Sequence, residues 1–175
     1  LYNEYFGGGM NAIVFQEMRE ARGLAYSASG RLLEPEYKDD SYKYFAFIAT
    51  QNDKMQTAIE AFDEIINDMP VSETAFNIAK EALTTKYRTE RITGRNILRS
   101  YQNARDMGIT EPRSKKIYEK LPELTLEDVK NTQEKWVKDR TYCYGILGDI
   151  KNLDTDYLKT LGTVEVLTLE DIFGY

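Results

Sequence analysis

Arg19 and Tyr26 stand seven residues apart at the end of the segment GGGMNAIVFQEMREARGLAY, which runs from Gly7 to Tyr26. Arginine is a permanently charged donor and tyrosine a neutral O–H donor, so both can meet a negative oxygen. Neither supplies a general base at neutral pH. The chain contains no histidine and one cysteine, Cys143. That excludes a Ser-His-Asp or Cys-His nucleophile system within these residues. It also excludes the usual hydrolytic zinc site, which takes histidine or cysteine ligands. Whatever reaction this pair joins, the metal and the base lie elsewhere.

The elements around the pair set its exposure. Met10, Ile13, Val14, Met18 and Ala21 recur at three- and four-residue spacing and mark one apolar helical face. At about 100° per residue Arg19 falls opposite the centre of that face. Its guanidinium therefore points to solvent or to a partner, and taken alone it reads as an ordinary exposed helix arginine. Tyr26, likewise, reads as an amphipathic strand residue with a wet hydroxyl. Gly23 is placed to end the helix in the left-handed conformation. The run Gly7 to Gly9 has two readings, a phosphate cradle or a tight connection between packed helices. No Gly-Lys-Ser/Thr follows it and no strand precedes it, so the connection is the better account.

The remaining chain reads as α+β. LAYSASGRLLE and SYKYFAFIAT are predicted strands, the second apolar on both faces. A helix capped by Asn52 or Asp53 follows, with Met55, Ala58, Ile59, Phe62, Ile65, Ile66 and Met69 as its stripe and Pro70 as its end. Ser72 caps a long helix with Phe76, Ala79, Leu83 and Tyr87 on one side. Helices are also predicted at RNILRSYQNARDMG after Gly94, at PRSKKIYEKL, at TLEDVKNTQEKWV with Thr125 as cap, and at DTDYLKTLG. TYCYGIL and TVEVLT are predicted strands, which would bury Cys143 as an inert thiol. The expected architecture is a small, mostly antiparallel sheet with helices packed mainly on one face. We read residues 1–175 as one domain.

The net charge of −6 argues against nucleic acid or an anionic membrane as the main partner. The basic cluster Arg113, Lys115 and Lys116 reads as a solvated helix face. No apolar run approaches the ~20 residues of a membrane span. Compartment is not legible in these residues.

The stretch YFGGGMNAIVFQEMREARGLAYSASG closely resembles the second-half domain of the insulinase/pitrilysin-type zinc metallopeptidases, the inverzincins. Phe15, Glu17, Arg19, Gly23, Leu24 and Tyr26 match that family's pattern at its spacing. VSETAFNIAKEALTTKY and YGILGD resemble two further, less specific stretches of it. The resemblance implies α+β domains, on one chain or on paired chains, that close like a clamshell around a peptide. One half carries H-x-x-E-H and binds zinc. The other half contributes an arginine and a tyrosine that fall here on Arg19 and Tyr26. The implied work of this pair is to bind the peptide substrate and stabilise the oxyanion formed at its carbonyl.

With no histidine, this chain would be the half that binds no metal, with zinc in the partner domain, and it would be inactive alone. The family domain begins with a strand and most of a helix before the position of Leu1. The sheet is therefore expected to lack its first strand, and self-association through its open edges is expected. Two alternatives stay open: a structural or processing subunit of the same family, and an unrelated α+β interaction module.

Overall fold

Two strands form the sheet, one of small and aliphatic residues (SASGRLL) and one rich in aromatics (KYFAFIA). In the computed structural model, which describes residues 1–91 and 93–175, β1 (Ser27–Leu33) pairs antiparallel with β2 (Lys43–Ala49), Ser27 opposite Ala49 and Leu33 opposite Lys43. Alternation sends Ala28, Gly30, Leu32, Tyr44, Ala46 and Ile48 to one face and Phe45 and Phe47 to the other. The first face packs on the helices. On the second, Phe45 and Phe47 remain about half exposed.

Among the described residues the chain forms nine α-helices besides short π- and 3₁₀-helical stretches. α1 (Tyr2–Phe6) leads through the glycines to α2 (Ile13–Phe15), which continues as a π-helical stretch, Gln16–Ala21. α3 (Met55–Asn67) and α4 (Glu73–Thr89) follow, then α5 (Gly94–Asp106), α6 (Arg113–Lys120), α7 (Leu126–Trp136), α8 (Thr155–Leu161) and α9 (Leu169–Phe173). One core joins Tyr2, Tyr5 and Phe6 of α1, Ile13, Val14 and Met18, the apolar stripe of α3, Phe76 and Ala79 of α4, and Val129 of α7. The fold is α+β, a small antiparallel sheet with its helices on one face.

Polar groups inside this core are bridged between elements. The Tyr5 hydroxyl donates to Pro70 O and accepts from Ser72 N, both at 3.0 Å, tying α1 to the α3–α4 turn. Ile66 O lies in the last turn of α3, where the residue four places on is Pro70, which has no N–H to offer. Gln133 of α7 supplies the missing donor, and its own amide oxygen accepts from the Tyr2 hydroxyl. Caps match expectation at two helices. Ser72 accepts from Ala75 N at 3.1 Å, and Thr125 forms a reciprocal capping box with Asp128.

Several expectations are corrected. TYCYGIL and TVEVLT form no strand, so the sheet has two strands among the described residues. A strand needs a neighbour for its N–H and C=O groups, and these segments lie off the ladder. Cys143 is exposed rather than buried. Asn52 and Asp53 make no side-chain cap to α3; a 3₁₀ turn, Asn52–Lys54, leads into it instead. Gly94 opens α5, and α9 follows directly after the segment expected as the last strand.

Met10 and Ala21 leave the apolar face as well. Met10 sits in a turn before α2, closed by Ala12 N donating to Gly9 O at 3.1 Å, and is 71% exposed. Ala21 ends the π-helical stretch, whose wider winding shifts it off the buried side.

Gly7 packs against a strand and Gly8 against α1, rather than against a second helix. A Cβ on Gly7 would overlap the nitrogen and carbonyl oxygen of Gly30 in β1, and one on Gly8 would lie 2.8 Å from Glu4 Cα. Gly9 has nothing within 4 Å. The first two glycines are therefore needed for close backbone approach.

Candidate functional site

Phe15, Glu17, Arg19, Arg22 and Tyr26 form the site, and their backbone is fixed from several sides. Gln16 Nε2 donates to Met10 O at 2.6 Å and ties the glycine turn to the π-helical stretch. Arg19 lies inside that stretch, a winding often found at functional positions. Gly23 ends it at φ +58°, the left-handed stop its type and place predict. Leu24 N then returns to Met18 O at 2.8 Å. Thr50 Oγ1 donates to Leu24 O at 2.6 Å, and Tyr26 N donates to Ala49 O at 2.8 Å. Tyr26 thus enters β1 already registered against the end of β2.

The side chains face outward. The Arg19 guanidinium carbon lies 5.5 Å from the centre of the Tyr26 ring and 5.0 Å from that of Phe15, close enough for cation–π attraction to both. Its one carboxylate neighbour is Glu20, with Nε 3.7 Å from Oε1, a loose exposed contact. Tyr26 is 81% exposed. Among the described residues its hydroxyl has no bonding partner. Two aromatic rings therefore hold the cation in place while its N–H groups remain free to bind.

Arg22 has the opposite role. Its Nη1 lies 2.7 Å from Glu64 Oε2 on α3, and its Nε lies 3.7 Å from Glu17 Oε2. The hydrogen bond that Arg22 donates to Glu64, and beyond it the neighbouring carboxylate charges, raise the Arg22 pKa, while Arg22 lowers that of Glu64. This arginine anchors the π-helical stretch to α3 and is not available to a ligand. The sequence separates Arg22 from Glu64 by 42 residues, so no local pattern announces the pair. The Phe15–Arg19 contact, by contrast, is an i,i+4 pair and legible from spacing alone.

Arg19 and Tyr26 stand on an open surface. A groove lined by Arg22, Leu24, Thr57, Glu60, Ala61 and Glu64 contains neither of them. A second groove lies at Asp63, Asn67, Arg140 and Tyr144. There the Tyr144 hydroxyl donates to Asp63, 3.2 Å from Oδ2. Burial raises the Asp63 pKa and pushes Tyr144 up to about 12. Among the described residues no three histidine, cysteine, aspartate or glutamate side chains converge as a metal site would require. Nor is any helix there long and apolar enough to cross a membrane.

Residues 1–83 match the family model of the Peptidase M16 inactive domain. That span holds the glycine turn, the Arg19–Tyr26 segment, both strands, α3 and most of α4, and the match supports an insulinase-family inactive second-half domain there. A domain of that kind implies pairing with a catalytic half-domain. Among curated proteins, none matches the chain.

Proposed function

We propose that this chain is the non-zinc half of an insulinase-type zinc metallopeptidase and completes its peptide-binding chamber. Arg19 and Tyr26 bind the substrate and stabilise the oxyanion that forms at the scissile carbonyl. One observation carries the reading. Two donors of the right chemistry are placed side by side on a rigid stretch, with the Arg19 cation 5.5 Å from the Tyr26 ring and both heads uncommitted.

The open position of the pair suits a site completed by a second domain. In water a guanidinium and a phenol are weak oxyanion donors, because solvent competes for the same charge. Closure by a partner half would exclude that water and strengthen both. The partner's zinc would polarise the carbonyl and supply the attacking water. Arg19 would orient the peptide through its fork of N–H groups, and Tyr26 would donate its O–H to the developing negative oxygen. Alone, the chain hydrolyses no peptide.

The test is kinetic, in the assembled parent enzyme. Tyr26→Phe keeps the ring that holds Arg19 and removes only the donor, so kcat/KM should fall by about 100- to 1,000-fold, the usual loss for one oxyanion donor. Arg19→Ala should also raise KM, and Arg19→Lys should rescue poorly. Wild-type rates in both Tyr26→Phe and Arg19→Ala would reject the catalytic role and leave a structural or processing subunit.

A further inference from the structure

The groove at Asp63 holds two opposite charges that do not meet. One wall is α3, where Asp63 and Asn67 stand four residues apart and share a face. Asn67 also fixes the other wall. Its Oδ1 accepts from Asp139 N at 3.1 Å, and Asp139 takes the left-handed conformation at φ +55°. The chain turns there and continues with Arg140, Tyr142 and Tyr144 at every second position, all three lining the groove. Leu161, the last residue of α8, adds an apolar side chain to the lining.

The two charges are Asp63 and Arg140, and both act on Tyr142. Burial chiefly raises the pKa of that hydroxyl; beyond it, Arg140 lowers the value and Asp63 raises it, so both lie within electrostatic reach of one residue. Yet they do not pair with each other. Among the described residues, neither Asp63 nor Arg140 belongs to any ion pair.

Each is left with unused capacity. Asp63 is half-buried, and its side-chain donor is the neutral Tyr144 hydroxyl, 3.2 Å from Oδ2. A carboxylate drawn partly out of water gains more from a charged donor than from a phenol. Arg140 spends Nη2 on Lys135 O at 2.6 Å, which leaves the rest of its donor fork for a ligand.

A carboxylate and a guanidinium that line one groove without pairing are complementary to a ligand that carries both signs. We propose that this groove binds a zwitterion, a free amino acid or a short peptide, whose ammonium meets Asp63 and whose carboxylate meets Arg140. The Tyr144 hydroxyl stays on Asp63 beside the ammonium, and Leu161 with the tyrosine rings receives an apolar side chain. The proposal uses neither Arg19 nor Tyr26, so it stands or falls apart from the peptidase reading.

The test titrates the 175-residue chain at neutral pH with L-leucine and, separately, with the tripeptide leucyl-glycyl-leucine, following backbone amide NMR shifts. Saturable shifts confined to the turn of α3 around Asp63, to residues 139–144 and to Leu161 are expected. The tighter ligand tells a free amino acid from a peptide. Acetylating its amine, or amidating its carboxylate, should each weaken binding at least about tenfold, since each strands one charge of the groove.

Two variants assign the charges. Asp63→Asn should weaken the tighter ligand by the same factor and leave its acetylated form bound as before. Arg140→Gln should weaken it likewise and leave the amidated form bound as before. This crossed pattern separates recognition from damage to the fold, which would weaken every ligand alike. Shifts that rise linearly with both ligands would overturn the proposal. So would blocked ligands that bind as tightly as the parent, or affinities indifferent to both variants.

Discussion

Replacing Gln133 by leucine should be among the costliest single changes in this core, although leucine is apolar and of similar size. Gln133 is 3% exposed and serves two buried groups: its amide N–H₂ donates to Ile66 O, and its amide oxygen accepts from the Tyr2 hydroxyl. Gln133→Leu leaves both without a partner. Ile66 O cannot turn to its own helix, because Pro70 has no N–H. The Tyr2 hydroxyl cannot turn to water, because Tyr2 is 7% exposed. At about 1–3 kcal/mol for each buried group left unpaired, the loss should be about 2–5 kcal/mol. Tyr2→Phe orphans only the Gln133 amide oxygen and should cost about 1–2 kcal/mol.

The double variant decides the matter. Tyr2→Phe with Gln133→Leu leaves Ile66 O as the one orphan, so it should be more stable than Gln133→Leu alone, with a coupling of at least about 1 kcal/mol. Urea unfolding, followed by circular dichroism and by the fluorescence of Trp136, gives all four corners of the cycle at one m-value. Additive losses, or a Gln133→Leu cost under about 0.5 kcal/mol, would refute the bridging role of Gln133.

Two further outcomes follow from the same structure. Gly7→Ala should cost about 1–3 kcal/mol because its methyl would overlap the backbone of Gly30, whereas Gly9→Ala, with open space around it, should stay within about 0.5 kcal/mol in the same urea assay. Tyr144, raised to about 12 chiefly by burial, keeps its proton in the folded chain after the unfolded chain has lost it. Its contribution to stability is thus fully present below pH 10, the ordinary value for tyrosine, and disappears as pH rises toward about 12. Urea midpoints across that window should fall, and should fall less steeply in Tyr144→Phe; equal slopes would show that Tyr144 contributes nothing to the loss.

Much of this protein was decided locally, and that part is legible in the sequence. The stripe of α3 from Met55 to Ile66 buries as its period requires, because a helix with that face has one low-energy way to meet a core. Ser72, Thr125 and Gly23 act within a few residues of themselves, so their types were enough to place a cap, a capping box and a left-handed stop. The candidate pair Arg19 and Tyr26 came from the family resemblance that their segment carries, and the absence of histidine set the chemistry the chain lacks.

Other features depend on groups far apart in the chain. Whether TYCYGIL and TVEVLT become strands rests on a neighbour that only tertiary pairing can supply, and strand-forming composition is silent about it. The glycines were rightly read as a place of close approach, but what approaches is the backbone of Gly30, which lies 23 residues from Gly7 in the chain. The π winding that carries Arg19, the Arg22–Glu64 anchor and the ring contacts of Arg19 arise where a short helix is held between the end of a strand and α3. Local propensity is a sum over neighbours in sequence. Register, edge coverage and the direction of an exposed guanidinium are set by neighbours in space, and those exist only once the chain has folded.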